Sequence, residues 1–264
     1  MRILSLIVFT LLVQPAFAAQ VSNANLLAIG QGISSPTSTS TVNYSSGYTA
    51  ESPIGTIYQN GVRLTGEYDR NDNDDNFGAE LGYGKGTWGV AAGYRKPGCD
   101  NCDGNVAGAL GLAIGDFGVG IRFGEDLYSA AVLINPHGTH RFGIMGELNE
   151  TAGSASKVTA YGVGYSYVAS QFTFTLDASG RSFKDNTVND DRIVVTPGLG
   201  FRVDIVQLTL NDRITLNRDE NNAEQREDNE HDFWFGIGLG GERWHVAAYS
   251  DYVNELSVVG SLFF

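Results

Sequence analysis

The sequence predicts an all-β protein, a closed antiparallel transmembrane β-barrel of about fourteen strands, and three observations lead to this prediction. Segments of about ten residues alternate large apolar residues with small or polar ones. The chain begins with the pattern of an export signal, and its polar connections alternate in length. After the first eighteen residues, no run reaches the roughly 20 apolar residues that a membrane-spanning helix needs.

The first segment, residues 1–18, has the pattern of a secretory signal peptide. Arg2 provides the positive charge, and residues 3–13 form a largely apolar core that is too short for a membrane anchor. Ala16-Phe17-Ala18 is a small-x-small cleavage site. We therefore expect cleavage near Ala18 and a mature protein outside the cytoplasm.

The composition excludes nucleic acid as a partner and indicates a backbone with many turns or many positions where side chains must be small. The chain of 264 residues has a formal net charge of −13, whereas a surface that binds nucleic acid is basic. We expect no nucleic-acid partner. The 34 glycines, without a collagen period, indicate many positions at which side chains must be small.

The alternation within the strands distinguishes a membrane barrel from a soluble sandwich. Between Phe117 and Phe123, one face carries Phe, Val, Ile and Phe, while the other carries Gly, Gly and Arg. The segment from Phe233 to Leu239 repeats this pattern with glycines opposite the apolar face. In a soluble sandwich, the apolar face packs against a second sheet, and the opposite face is not consistently small. Large apolar residues outside and small or polar ones inside are typical of a barrel in lipid, which must close on itself to pair its backbone groups.

Fourteen strands follow from this alternation, with twelve as the alternative count. The predicted strands lie near 57–69, 76–84, 86–95, 105–115, 117–124, 126–134, 139–149, 156–168, 170–180, 191–202, 204–217, 230–240, 243–251 and 255–264. Five odd-numbered connections are long and polar, at 69–75, 96–104, 149–155, 181–190 and 218–229, and the even-numbered ones are short. The fifth, 124–126, is short and departs from this trend. Long connections face the exterior in such barrels, so both termini are expected in the periplasm.

Residues 19–53, between the signal peptide and the predicted barrel of residues 54–264, differ in composition from both. Their middle, residues 31–41, is mostly small and polar, and the whole segment carries no charge until Glu51. Such a segment is either a periplasmic tail or a plug inside the barrel lumen. The absence of charge and the many inward-facing glycines favour the plug.

The end of the chain and its overall organisation resemble known outer-membrane proteins. The last strand ends on Phe264 and resembles the C-terminal signal that the barrel-assembly machinery recognises. A signal peptide, a small-residue N-terminal segment and about fourteen strands resemble the FadL/OMPP1 family of hydrophobic-compound transporters. In that family, the N-terminal segment forms a hatch, and a Tyr-Asn-Pro-Ala-Gly-like element precedes the first strand. Residues 42–47 (VNYSSG) keep an Asn and a Gly of that element but lack its Pro. The resemblance implies passive transport and transfers no ligand residue.

Few residues indicate a specific chemical role, such as a disulfide, a metal site or a charged lumen lining. Cys99 and Cys102 form a CxxC pattern in a predicted external loop, for which a local disulfide is the expected role. Asp72, Asp74 and Asn76 resemble part of a calcium loop but lack its later glycine and glutamate. Eleven charged residues occupy the inferred lumen face, as a structural network or as the lining of a water path. They are Arg63, Glu67, Glu80, Arg122, Arg141, Glu147, Asp177, Arg202, Arg213, His245 and Asp251.

These observations predict a passive channel or transporter for small or hydrophobic solutes in the outer membrane of a Gram-negative bacterium. The alternative is a closed structural or adhesive barrel whose external loops carry the function. The four histidines form no legible catalytic triad with Ser and an acid, so we expect neither enzymatic activity nor a cofactor. The expected partners are membrane lipid and lipopolysaccharide, which the acidic loops could contact through divalent cations.

Overall fold

The computed structural model describes residues 29–36, 52–71, 74–96, 98, 103–125, 127–150, 157–184, 189–220, 230–251 and 255–264. Fourteen antiparallel strands form one closed barrel, in which each strand pairs with its sequence neighbours and β1 pairs with β14. The predicted fold class and strand count are confirmed, and the alternative count of twelve is wrong. No helix within these described residues is long and apolar enough to cross a membrane.

The strands are short to medium in length and are joined by connections of unequal size. Their bounds are β1 Asn60–Asn71, β2 Asp74–Lys85, β3 Trp88–Lys96, β4 Asn105–Ile114, β5 Phe117–Gly124, β6 Leu127–Ile134, β7 His140–Glu150, β8 Lys157–Val168, β9 Phe172–Lys184, β10 Asn189–Val203, β11 Val206–Glu220, β12 Glu230–Gly240, β13 Trp244–Asp251 and β14 Leu256–Phe263.

The outer surface carries the large apolar residues of the alternating pattern. On several strands, exposed aromatic residues recur six positions apart, as in Trp88 and Tyr94 on β3 and Phe117 and Phe123 on β5. Six residues of strand span about 20 Å. Two aromatic girdles separated by an apolar band are the outer surface of a barrel that faces lipid.

Two of the long polar connections predicted from sequence are wrong. The backbone ladder of β1 and β2 continues to the pair Asn71 and Asp74, so only residues 72–73 lie between the strands. Likewise, β9 and β10 pair up to Lys184 and Asn189, which leaves residues 185–188. Beyond the apolar band, strands can continue with polar side chains because the antiparallel ladder is made by the backbone.

The C-terminal residue completes the barrel where β1 meets β14. The main-chain N–H of Phe264 donates to the carbonyl of Val62 at 2.9 Å, and the N–H of Val62 donates to the carbonyl of Phe264 at 3.1 Å. Gly61 has a φ of +97°, and a Cβ at this position would collide with the Phe264 carbonyl oxygen. The last residue of the chain is therefore part of the ladder that closes the wall.

A polar lumen occupied by two N-terminal segments

Two described stretches that precede β1 lie inside the barrel. We call residues 29–36 the inner turn and residues 52–59 the collar segment. Both are buried almost throughout. They contact inward-facing glycines of the wall, whose missing side chains leave the space that the segments occupy. The glycines against the collar segment are Gly82, Gly84, Gly89, Gly111, Gly118 and Gly120, and those against the inner turn are Gly143, Gly162, Gly164, Gly198 and Gly200.

The collar segment is attached mainly by apolar packing and by its continuity with β1. Ile54 and Ile57 are fully buried and form one apolar cluster with Leu133 on β6. The main-chain N–H of Gly86 donates to the carbonyl of Ile57 at 2.8 Å. Burial raises the pKa of Tyr58 to about 12, so its hydroxyl stays protonated. This segment is an extension of the wall into the lumen.

The inner turn is attached mainly by hydrogen bonds to β9, β10 and β11. The main-chain N–H of Gln31 donates to Oδ2 of Asp177 at 2.6 Å, and its side-chain Nε2 donates to Oγ1 of Thr196 at 3.0 Å. The N–H of Gly30 donates to Oδ1 of Asn211 at 2.8 Å. Each wall partner is a polar side chain on the inward-facing side of its strand.

Two apolar side chains of the inner turn supplement these hydrogen bonds. Ile29 is buried and lies against Gly200 of β10. Ile33 is 2% exposed and lies against Gly162 and Gly164 of β8, where a Cβ would come within 2.6–2.9 Å of its side chain. The hydroxyl of Ser34 contacts that of Ser166 on the same strand. The contact surface of the inner turn therefore combines two isoleucines with polar groups.

All eleven charged residues singled out in the sequence occupy inward-facing positions, alternating along each strand with residues of the outer face. Six of them are buried, namely Arg63, Glu67, Glu80, Arg122, Asp177 and His245, and five are partly exposed, namely Arg141, Glu147, Arg202, Arg213 and Asp251. Ion pairs connect the inward faces of different strands: one joins β1 to its neighbour β2, and the other joins β5 to β7 across β6. Nη2 of Arg63 lies 2.7 Å from Oε1 of Glu80, and Nη2 of Arg122 lies 2.5 Å from Oε2 of Glu147.

The residues that hold the inner turn in addition to Asp177 were not identified from the sequence. Alternation places Thr196 and Asn211 on the inward face, but it does not show that Gly30 and Gln31 meet them. These contacts join residues separated by 165 and 181 positions. Only the closed barrel brings them together.

Further buried polar atoms in the lumen have no hydrogen-bond partner among the residues that the structure describes. They include both ring nitrogens of His245, Oε1 of Gln207, both side-chain polar atoms of Gln59 and the hydroxyl of Ser129. Buried polar groups of this kind are commonly satisfied by water. The lumen is therefore chemically suited to hydration.

The remaining candidates from the sequence belong to connections that were predicted to be external. Cys99 and Cys102 are outside the described residues, as are Asp72 and the side chain of Asp74. Oδ1 of Asn76 on β2 accepts a hydrogen bond from the main-chain N–H of Gly98 at 3.0 Å, which joins this strand to the connection after β3. Within the described ranges, no group of three or more His, Cys, Asp or Glu residues could hold a metal ion.

A closed antiparallel barrel with an apolar exterior and a polar interior defines the class of transmembrane β-barrels found in outer membranes. No family model and no curated protein matches this sequence. Among solved structures, the fold is similar to that of a loop-deletion form of OmpT, an outer membrane protein of Vibrio cholerae. The two share 10% identity over 77% of this chain and 97% of that chain, with a TM-score of 0.47.

Two porins show a comparable similarity of fold. The NanC porin is 12% identical over 77% of this chain and 100% of its own, with a TM-score of 0.41. The KdgM porin is 7% identical over 77% of this chain and 99% of its own, with a TM-score of 0.40. These structural neighbours are outer-membrane β-barrels, and membership of the FadL/OMPP1 family is not shown.

Proposed function

We propose that this protein is a passive outer-membrane channel that its own N-terminal residues close, and that small solutes cross it when part of this N-terminal segment moves. The observation that carries the proposal is the polar attachment of the inner turn to the inward face of the wall. Hydrogen bonds of this kind can be exchanged for bonds to water at little net cost.

The size of the barrel supports a channel over a closed structural barrel. A barrel of about eight strands fills its interior with its own side chains. This wall has fourteen strands and places glycines at the contact positions, so a separate segment occupies the space. A filling that is separate from the wall can leave without dismantling it.

The proposal also covers the export of this protein, its orientation in the membrane and its contacts there. We infer that residues 1–18 direct export, that cleavage occurs near Ala18, and that the short turns and both termini face the periplasm. The strand ending in Phe264 would be recognised by the barrel-assembly machinery, and the aromatic girdles would contact lipid and lipopolysaccharide. The protein would act without catalysing a reaction.

The second candidate is a closed barrel that serves adhesion or envelope stability through its external connections. The observation in its favour is the burial of many inward-facing polar side chains, including Thr65, Thr175 and Ser257. A lumen that never opens would have this packing permanently. The two candidates therefore differ in whether the N-terminal residues ever leave the lumen.

Conductance separates these candidates directly. The refolded protein, intact and with residues 20–52 deleted, is inserted into a planar bilayer in KCl, and folding is checked by heat-dependent gel mobility. Deletion keeps 53–59 and β1, so the wall stays intact. The channel proposal expects rare openings of the intact protein and sustained conductance of the deletion. If both proteins fold but neither conducts ions, the result would favour the closed barrel.

A further inference from the structure

We propose that the inner turn alone is the moving gate, that Asp177 is its latch, and that the passage it uncovers admits small polar solutes that are neutral or cationic. This inference rests on the proposed channel function. It goes beyond that function by assigning the moving element, the residue that holds it and the chemical class of solute.

The two interior segments differ in what detaching each one requires. Removing the collar segment exposes Ile54 and Ile57 to water and pulls on β1, into which it continues. Exposing buried apolar side chains is unfavourable, and no water contact compensates for it. Lifting the inner turn also exposes Ile29 and Ile33, but neither belongs to the apolar cluster of the collar segment, and water can satisfy the hydrogen-bonding groups that hold the turn. The turn also does not continue directly into a strand of the wall. The inner turn is therefore the segment that can leave the wall.

The latch is a single carboxylate that faces consecutive main-chain N–H groups. Asp177 is fully buried, and it accepts the N–H of Gln31 while the N–H groups of Gly32 and Ile33 also point at it. Gly30 and Gly32 have φ values of +68° and +75°, in the left-handed region that glycine favours. Alternating backbone conformations turn successive N–H groups toward one side and form an anion-binding nest. In this protein, the wall supplies the anion.

The wall surface beneath the inner turn defines the solutes that fit the passage. Its polar side chains are Ser166, Thr175, Asp177, Thr196 and Asn211, which present hydroxyls, one amide and one carboxylate. The remaining contact positions are glycines, which leave width for a solute. Hydroxyl and amide groups match polar solutes such as polyols, and the carboxylate favours cations over anions.

The latch is tested with Asp177→Asn in the full-length chain. The amide keeps the shape of the side chain but removes the charge, and hydrogen bonds to an ionised acceptor are the stronger ones. We expect the opening frequency in KCl to rise at least about tenfold. Glu255→Gln is the charge-matched control, because Glu255 lies in the connection before β14, and its opening frequency should equal that of the parent.

The solute class is tested in the protein lacking residues 20–52, where gating no longer contributes. Reversal potentials in a KCl gradient give the K⁺/Cl⁻ permeability ratio, and adding Asp177→Asn should lower it by up to about fivefold, the effect of a charge about 4 Å away in water. Liposomes containing the deletion protein should swell in arabinose. A ratio unchanged by Asp177→Asn would overturn the assigned passage.

Disulfide locks identify which segment moves. In a background with Cys99→Ser, Cys102→Ser and Asp177→Asn, the pair Ser34→Cys and Ser166→Cys joins the inner turn to β8 where the two hydroxyls touch. Oxidation should abolish conductance, and reduction should restore it.

The matched lock ties the collar segment to β2. Cγ2 of Thr56 lies 2.9 Å from the Cβ position of Gly82, so Thr56→Cys and Gly82→Cys place the sulfur of one beside the Cβ of the other, as a disulfide requires. Oxidising this pair should leave conductance unchanged. Loss of conductance with this lock, but not with the first, would reassign the gate to the collar segment.

The outcomes separate the inference from the function on which it rests. If the deletion protein conducts but Asp177→Asn opens no more often than Glu255→Gln, the latch is refuted and the channel stands. If the deletion protein and the Asp177→Asn variant are both folded but conduct no ions, the proposed channel function is refuted. The proposal that the inner turn is a gate is then refuted as well.

Discussion

The ion pair between Arg63 and Glu80 provides the sharpest test of the energetics of the lumen. Both side chains are fully buried, and Nη2 of Arg63 lies 2.7 Å from Oε1 of Glu80. The pairing register sets this contact: Arg63 stands opposite Gly82, which has no side chain, and Glu80 lies two residues before Gly82 on β2. Diagonal neighbours on one face are within reach of long side chains.

Removing one partner leaves the other charge buried. We expect Glu80→Leu to lower the free energy of unfolding by about 3–5 kcal/mol, whereas Arg63→Met combined with Glu80→Leu should be close to the parent or more stable. The measurement is equilibrium unfolding by denaturant in lipid vesicles, followed by tryptophan fluorescence, for the parent, both single variants and the double variant.

Arg70 provides the matched control on the same strand. Its side chain is exposed on the outer face, so Arg70→Leu should change the free energy of unfolding by no more than about 0.5 kcal/mol. If Glu80→Leu changes stability as little as Arg70→Leu, the charge of Arg63 is well hydrated. The assumption of a low-dielectric environment at the pair would then be wrong.

Three further predictions concern packing, lipid contact and the inner turn. Leu133→Ala removes a fully buried side chain from the collar cluster and should cost about 2–5 kcal/mol in the same unfolding assay, and a cost below 1 kcal/mol would show that the cluster is not tightly packed. Leu210→Arg, in the outer apolar band, should lower the free energy of unfolding by about 2–4 kcal/mol. Leu216→Arg, nearer the loop end of the same strand, should lower it by about 0–1 kcal/mol. Equal losses of stability would contradict this assignment of the band. Gly164→Val places side-chain atoms where Ile33 packs, so bilayer recordings should show more frequent openings, and an unchanged frequency would argue against this contact.

The alternation of residue types sufficed to predict the barrel because the two faces of a strand meet different solvents. Phe117 and Phe123 face outward in the structure, and Arg122 between them faces inward and is buried. This period of two is a local property of the chain. The number of strands could be predicted because it is the number of segments that show this period. The ends of the strands were less predictable, because Asn71 and Asp74 have the composition of a loop yet pair in the backbone ladder.

The contacts of the lumen could not be predicted in the same way. Alternation placed Asp177 on the inward face, but nothing in the local sequence indicates that the N–H of Gln31 meets it across 146 residues. The same holds for Arg63 and Glu80, whose contact depends on the register between two strands. A shift of one residue would turn one of these side chains toward lipid.

The sequence by itself therefore determined that the chain closes into a barrel, how many strands it has and which face of each strand meets lipid, because hydrophobic periodicity acts residue by residue. The tertiary structure alone decided what occupies the lumen. Two short N-terminal segments lie against glycines of distant strands, one in an apolar cluster with the wall and the other through hydrogen bonds, among them those to a buried carboxylate, together with two isoleucines. Space for a segment inside a barrel exists only after the wall has closed, so neither segment taken alone indicates its contacts.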